Sequence, residues 1–210
     1  MPLIRKPDGG SNPPKDDLDP IAGLAAASAD ERWSAVRLLV GKPGQTQVLL
    51  KTLATERDPR VREAILTALA RDGSDAAVAG IVDLIRSPDA ASRTAALDAL
   101  TTIPAAIETN IESLLNDGDG DVRILSCDLV RRLPTAKATD VLVALLGREQ
   151  EVNVCGAAVE VLSEVGDARA RPALEACAAR FSKDGFLNYA IDVAIRRIGE
   201  DGRTSSPAST

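Results

Sequence analysis

An acidic segment near the middle of the chain contains potential metal ligands at regular spacing. Asp117, Asp119 and Asp121 alternate with glycines, and Asp128 stands at the twelfth position counted from Asp117. This spacing imitates a calcium-binding loop, but such a loop carries Gly at its sixth position and a bidentate Glu at its last. Val122 occupies the sixth position here. We therefore interpret the segment as a turn whose Asp caps the following helix.

The absence of histidine restricts the possible chemistry further. The 210 residues contain no His, which excludes Ser-His-Asp and Cys-His catalysis and every His-ligated metal centre. The sequence also lacks a Gly-rich phosphate-binding loop. We predict a protein that is not an enzyme and that carries no cofactor and no metal.

The cysteines point to a reducing compartment. The chain has three cysteines, Cys127, Cys155 and Cys177. An odd number does not fit a disulfide framework, so we expect the protein to be cytoplasmic. Cys155 lies near the start of a predicted helix, where the helix dipole lowers the pKa of a thiol. It is either a reactive thiol or a small apolar core residue, and the lack of a base at a recognisable spacing favours the core residue.

The composition favours an all-α fold. Hydrophobic residues make up 45% of the chain but aromatic residues only 2%, so most apolar residues are Ala, Leu, Val and Ile, and Ala and Leu are strong helix formers. The net charge of −6 argues against a nucleic-acid partner, because a phosphate backbone requires clustered Lys and Arg. No stretch of about 18 apolar residues would span a membrane, and residues 1–10 lack the apolar core of a secretory signal.

A repeat of 30 to 33 residues organises the chain. Its clearest copy is Asp58–Leu69, in which an Asp cap precedes apolar residues at the helical period. One column of the repeat holds Arg32, Arg62, Arg93, Arg123, Cys155 and Asn188. The column four residues earlier holds Ser28, Asp58, Asp89, Asp119, Glu151 and Asp184, and the column seven residues later holds Leu39, Leu69, Leu100, Val130, Leu162 and Ile195.

A second apolar segment follows each of these A helices after a short break with Gly or Pro, so the predicted unit is a helix–turn–helix of an A and a B helix. The predicted B helices are Gln45–Thr55, Asp75–Arg86, Ile107–Asn116, Thr139–Leu146 and Ala168–Phe181, and half-units lie at Asp19–Ala27 and Phe186–Ile198. We predict a repeat domain over 18–199 between disordered tails at 1–17 and 200–210.

The copies of Asp-x-x-Val-Arg-x-Ala-x-x-x-x-Leu, together with the Gly166-Asp167 pair after one A helix, resemble the HEAT-like repeat family, in particular the short repeats of phycobilisome-lyase-type proteins. The resemblance covers residues 19 to 198. It implies a right-handed α-α superhelix of about five helix pairs with terminal half-repeats, and a binding face on the concave side that the B helices line. Such repeats serve many unrelated functions.

The arginine column allows two interpretations. It is either an anion-binding ladder or a structural ladder in which each Arg pairs with the Asp cap of its own or the adjacent repeat, and we favour the second. Trp33, the only Trp, is expected to cover the N-terminal end of the core rather than to anchor a partner. The members of the structural ladder are Arg32, Arg62, Arg93, Arg123, Asp58, Asp89 and Asp119.

The B helices are expected to expose a partner-binding surface. Alignment on their expected core residues gives a mixed, mildly acidic face, which suits a helix or loop of another protein better than a polyanion. The expected core residues are Leu50, Ile81, Ile111, Leu142 and Leu174. The candidate partner-binding residues are Lys51, Val82, Asp83, Arg86, Glu112, Asn116, Val143 and Glu175, with the two valines as exposed aliphatic side chains.

These observations predict a non-catalytic scaffold or adaptor that binds another protein, with a monomer as the expected oligomeric state. The family resemblance also allows a bilin lyase, or a factor that handles a chromophore or cofactor together with a partner chain. A DNA-binding or glycosylase-like HEAT protein is disfavoured by the acidic charge and the few aromatic residues.

Overall fold

The computed structural model describes residues 19–204, with side chains as far as residue 199. All regular secondary structure in this range is helical, and helices α10 and α11 are joined by a short 3₁₀ turn at Ala168–Ala170. The helices are α1 Pro20–Gly23, α2 Ala29–Leu39, α3 Thr46–Thr55, α4 Pro59–Asp72, α5 Asp75–Leu84, α6 Ala90–Thr101, α7 Pro104–Leu114, α8 Gly120–Val130, α9 Thr135–Arg148, α10 Val152–Val165, α11 Arg171–Arg180 and α12 Gly185–Thr204.

The chain divides into two units, and the division falls inside helix α4. The N-terminal unit ends at Ala68 and the C-terminal unit begins at Leu69. In the C-terminal unit, the A helices α6, α8, α10 and α12 pack in sequence against one another, and α9 packs on α11. Each A helix also packs against a B helix beside it in the chain. This arrangement of stacked helix pairs confirms the predicted all-α repeat fold.

Apolar residues at the predicted columns form the core of the C-terminal unit. Ile81, Ile111, Leu142 and Leu174 on the B helices have no exposed side-chain surface. The A-helix column is equally well buried, with Leu69, Leu100, Val130 and Leu162 at most 1% exposed. Ile195 is only half-buried, and Ile191, Ala194 and Ile198 form the buried face of α12 instead.

The N-terminal unit shows one error of register in the sequence alignment. The predicted core residue Leu50 is only half-buried, whereas Leu49 and Leu53 are each 3% exposed. Leu49 and Leu53 are four residues apart and therefore lie on the same face of α3. The core position of this B helix is thus Leu49, one residue before the predicted one.

The predicted helix starts are largely confirmed by their caps. The carboxylates of Asp58, Asp89, Asp119 and Asp184 each accept a hydrogen bond from a backbone N–H in the first turn of their A helix. Ser28 and Glu151, at the same column, make no such bond. The cap column therefore functions as predicted where it holds Asp.

Several predicted boundaries differ from the structure. Helix α1 ends at Gly23 rather than near residue 27, and α7 begins at Pro104 because Pro fits the first turn of a helix. Helix α12 continues to Thr204, past the expected end of the repeat domain at 199. The predicted tail at 1–17 and residues 205–210 lie outside the described range. No helix of residues 19–204 has the length and apolarity needed to cross a membrane.

Candidate functional site

Each arginine of the column binds the loop before its own A helix, and two of them also bind the loop before the next A helix. In the N-terminal unit, Arg32 donates from Nε and Nη2 to both carboxylate oxygens of Glu56, at 2.7 and 2.9 Å. Its Nη1 donates to the carbonyls of Ala26 and Ala27 in the loop before α2, at 3.0 Å each. One guanidinium thus joins the loop that leads into its own helix to the loop that leads into the next A helix.

The same geometry recurs in the C-terminal unit. Arg123 donates from Nε and Nη2 to the carboxylate of Glu149, at 2.8 and 3.1 Å, and from Nη1 to the carbonyl of Asp117 at 2.8 Å. Nη2 also lies 2.9 Å from a carboxylate oxygen of Glu151. Two-point contact between guanidinium and carboxylate is the strongest common form of this pair, because both donors are aligned and charged.

The acceptor glutamates are held by the backbone as well. Glu56 accepts N–H bonds from Arg57 and Asp58, and its equivalent Glu149 accepts them from Gln150 and Glu151. The hydrogen bond from Arg32 lowers the pKa of Glu56 to about 2, with further lowering by the backbone N–H groups and opposition from burial. For Glu149, burial raises the pKa, but the hydrogen bonds from Arg123 and the backbone outweigh it, so the pKa is lowered.

The other two ladder arginines bind backbone carbonyls. Arg62 donates to the carbonyls of Leu53 and Glu56, and Arg93 donates to those of Ser87 and Pro88. The Nε of Arg93 is buried without a hydrogen-bond partner. The position that holds Glu56 and Glu149 in the bridged repeats is Ser87 after Arg62 and Asp117 after Arg93. The carboxylate of Asp117 binds Arg86 at 2.7 Å.

The hydrogen bonds of these arginines go mainly to acceptors other than the predicted Asp caps. These acceptors are loop carbonyls and the glutamates two residues before the cap position, and Arg123 also contacts the cap-column residue Glu151 of the next repeat. Asp58, Asp89 and Asp119 use their carboxylates to bind the first turn of their own helices. The sequence signal for the bridge is a Glu that follows the ladder Arg by 24 to 26 residues.

The ladder changes chemistry where the arginines end. Asn188 donates to the carbonyls of Phe181 and Asp184, at 3.0 and 2.7 Å, and so keeps the contact with the preceding loop. Cys155 has no exposed surface, and Cys177 on α11 is equally buried. Interaction with the Cys155 thiol lowers the pKa of Cys177 to about 7 against the effect of burial, with further lowering by the Arg180 guanidinium, whereas interaction with Cys177 and burial raise the pKa of Cys155. Cys155 is a core side chain, and its interaction with Cys177 was missed.

The acidic segment is a turn between a B and an A helix. Asp117 accepts from the N–H of Asp119 at 3.0 Å, and Asp119 accepts from the N–H of Asp121 at 2.9 Å as α8 begins at Gly120. The carboxylates therefore serve helix entry, as the interpretation of the sequence required. Among the described residues, no group of three or more His, Cys, Asp or Glu side chains is placed to hold a metal.

Most of the predicted B-face residues are exposed, but the two valines are not. Val82 is 8% exposed, because it adjoins Ile81 at the edge of the broad apolar face of α5, and Val143 is half-buried. Several exposed members are already in ion pairs: Arg86 with Asp117, Glu112 with Lys137, and Glu175 with Arg171. The exposed members are Lys51, Asp83, Arg86, Glu112, Asn116 and Glu175.

Two B helices of the C-terminal unit enclose a shallow groove. It has a volume of about 330 Å³ and lies between α7 and α9. Glu112 and Asn116 line it together with Lys137, Asp140 and Arg148, so both signs of charge are present. Among the predicted B-face residues, these two are brought into one concave site.

Trp33 belongs to the N-terminal unit, where it is half-buried. The guanidinium carbon of Arg37 lies 4.6 Å from the centre of its ring, and that of Arg60 lies 5.7 Å away. These cations occupy ring surface that a partner would otherwise contact.

The helix pairs and their loop contacts agree with a family comparison. Residues 107–186 match the family described as HEAT repeats. This segment is similar to HEAT repeats. It runs from α7 to the first turn of α12, and it includes the Arg123–Glu149 bridge, the α7–α9 groove and the buried cysteine pair.

Several solved structures are similar to this chain at low sequence identity. One is an engineered protein, which is 21% identical over 86% of this chain and 95% of its own, with a TM-score of 0.40. Another is a designed armadillo repeat protein, which is 18% identical over 85% of this chain and 98% of its own, with a TM-score of 0.40. A third is the complex of CpcE and CpcF of phycocyanin lyase from Nostoc sp. PCC7120, which is 16% identical over 94% of this chain and 100% of the matched chain, with a TM-score of 0.38. No curated protein matches the sequence. TM-scores this low carry no information on what the chain binds.

The Arg32–Glu56 bridge makes stability depend on acid. Folding lowers the pKa of Glu56, so the ionised carboxylate stabilises the folded state. This stabilisation is complete above the ordinary pKa of 4.5 and is lost as the pH falls towards about 2. We expect Glu56→Gln to lower the free energy of unfolding by about 2 kcal/mol near pH 7, and by progressively less between pH 4.5 and 2. Urea titrations across this range measure the difference. The exposed Glu63→Gln is the matched control, and a loss that does not change with pH would contradict the assigned ionisation.

The buried Nε of Arg93 predicts a stabilising substitution at Asp117. Asp117→Glu lengthens the carboxylate by one methylene, to the length that Glu56 and Glu149 use to reach their arginines. We expect the free energy of unfolding to rise by about 1 kcal/mol, measured by urea titration, and Asp117→Asn to lower it. Destabilisation by Asp117→Glu would show that the contact with Arg86 matters more than satisfying Arg93.

Proposed function

We propose that this protein is a non-catalytic scaffold or adaptor that binds another protein along the exposed side of its B helices. The supporting observation is the groove between α7 and α9, where residues of two successive HEAT repeats line one concave surface. A stack of repeats offers such surfaces at regular intervals, which is how repeat proteins bind extended partners. The proposed partner-binding residues are Glu112 and Asn116 in the groove, with Asp83, Arg86 and Glu175 on neighbouring B helices.

The charges of this surface indicate the kind of partner. Glu112 pairs with Lys137 across the groove, and Asp140 receives a hydrogen bond from Arg169 at 2.7 Å. A surface with alternating charges fits a protein segment with its own charges of both signs, whereas a nucleic acid requires a continuous cationic stripe. We therefore propose a protein partner and no nucleic-acid partner. The monomeric state remains part of this proposal.

The cellular location is proposed on the cysteines. Cys127, Cys155 and Cys177 are all buried as free thiols, and burial raises the pKa of Cys127 to about 12. Free cysteines are typical of proteins in a reducing compartment, so we propose that this protein is cytoplasmic. No described residue favours the alternative function as a bilin lyase.

Site-specific photo-crosslinking in the source cell tests the proposed surface. A photoreactive amino acid at Asn116 or at Asp140 lies in the α7–α9 groove, and one at Asp98 on the A helix α6 is the exposed control. We expect both groove positions to yield the same protein adduct and Asp98 to yield none. An adduct from Asp98 alone, or different adducts from Asn116 and Asp140, would contradict binding at the B helices.

A further inference from the structure

A large apolar depression of the C-terminal unit lies on its A helices, on a surface that the B-face proposal does not use. Its volume is about 730 Å³, and residues of α8, α10 and α12 line it. Two of the four aromatic residues of the chain, Phe186 and Tyr189, stand on its wall and are 85% and 66% exposed. Large exposed rings beside an apolar depression mark surfaces that another molecule covers.

Small side chains from two helices contribute to the lining of this A-helix groove. They are Gly156 and Ala157 on α10 and Ala190 on α12. A Cβ atom at Gly156 would meet no heavy atom within 4 Å, so the space beside it is open. Small residues in the lining between two helices let a third helix approach closely, with the exposed rings packing against its sides.

The charge of the A-helix groove selects the occupant. Its lining, which lies wholly within the described residues, holds the carboxylates of Glu160 and Asp184 and no Lys or Arg. Glu160 is 69% exposed and makes only a 3.3 Å contact with Arg131, a cation that it shares with Glu164. A cation brought by a partner would therefore find negative charge at the groove.

We infer that the A-helix groove binds an amphipathic helix of a second protein, with apolar side chains on one face and Lys or Arg beside them. Phe186 and Tyr189 contact the apolar face, Gly156 and Ala190 receive it, and Glu160 and Asp184 attract the cations. This surface is separate from the α7–α9 groove, so the chain carries two binding faces on opposite helix layers.

Two synthetic helical peptides of about five turns test this inference with the full chain. One consists of Leu and Lys, and the other of Leu and Glu with the same apolar face. Titration calorimetry is expected to give a dissociation constant for the Leu/Lys peptide at least about tenfold below that for the Leu/Glu peptide. Equal binding of the two peptides would overturn the assigned charge preference.

Variants separate groove binding from general attraction to an acidic protein. Gly156→Gln adds a side chain to the lining of the groove, and Gly147→Gln is the matched control, since Gly147 on α9 also has open space around its Cβ. We expect Gly156→Gln and the double variant Phe186→Ser/Tyr189→Ser each to weaken binding of the Leu/Lys peptide by at least about tenfold, and Gly147→Gln to leave it unchanged. Unchanged affinity in both groove variants would overturn the inference.

Sedimentation of the same proteins tests whether a second copy of this chain occupies the A-helix groove. The wild type and the Phe186→Ser/Tyr189→Ser variant are both expected to sediment as monomers. A wild-type dimer that the double variant dissociates would assign the A-helix groove to self-association and overturn the proposed partner. These outcomes are independent of crosslinking at Asn116 and Asp140, so either binding face can fail without the other.

Discussion

Contact between one guanidinium and two loops joins neighbouring helix pairs at two places in this protein, Arg32 and Arg123. A short repeat cannot bury its apolar face alone, so each pair is stable only against the next. The A helices supply the apolar contact, and arginines such as Arg32 and Arg123 supply the polar one by joining their own entry loop to a glutamate of the following repeat. The glutamate in turn holds the backbone that starts the next A helix. Apolar packing and helix initiation are thereby coupled in one contact.

This contact is not made equally in every repeat. Glu56 and Glu149 complete it, whereas Asp117 binds Arg86 and leaves one nitrogen of Arg93 unsatisfied. Farther along the chain, a buried thiol replaces the arginine at Cys155, and Asn188 keeps only the link to its own loop. The ladder position of the C-terminal unit is thus ionic at Arg123 and not at Cys155 or Asn188. The same part of the chain carries the exposed rings of the A-helix groove.

The fold was readable from the sequence because its physical causes recur. An Asp four residues before the ladder position satisfies free N–H groups, and an apolar residue seven after it is buried, so three columns sufficed to find the A helices. The register of single residues was less certain where two apolar residues are consecutive. Leu49 and Leu50, and Ile81 and Val82, differ by only about 100° around a helix, and the sequence alone does not say which one neighbouring helices cover.

The candidate sites were harder to predict, because their residues lie outside the helical period. Glu56 and Glu149 stand in loops, and their role depends on an arginine of the previous repeat. The A-helix groove depends on side chains from α8, α10 and α12 that only the stacked structure brings together. The rings of Phe186 and Tyr189 carried a compositional signal, since the chain has only four aromatic residues, but their exposure required coordinates.

A double-mutant cycle across the Arg123–Glu149 bridge tests the central claim most directly. The four proteins are the wild type, Arg123→Gln, Glu149→Gln and the double variant, compared by their free energies of unfolding in urea. If the bridge links successive repeats, the two positions are coupled by about 2 kcal/mol, and the double variant loses less than the single losses added together. A coupling energy near zero would show that apolar packing alone joins the helix pairs, which contradicts the account given for this fold.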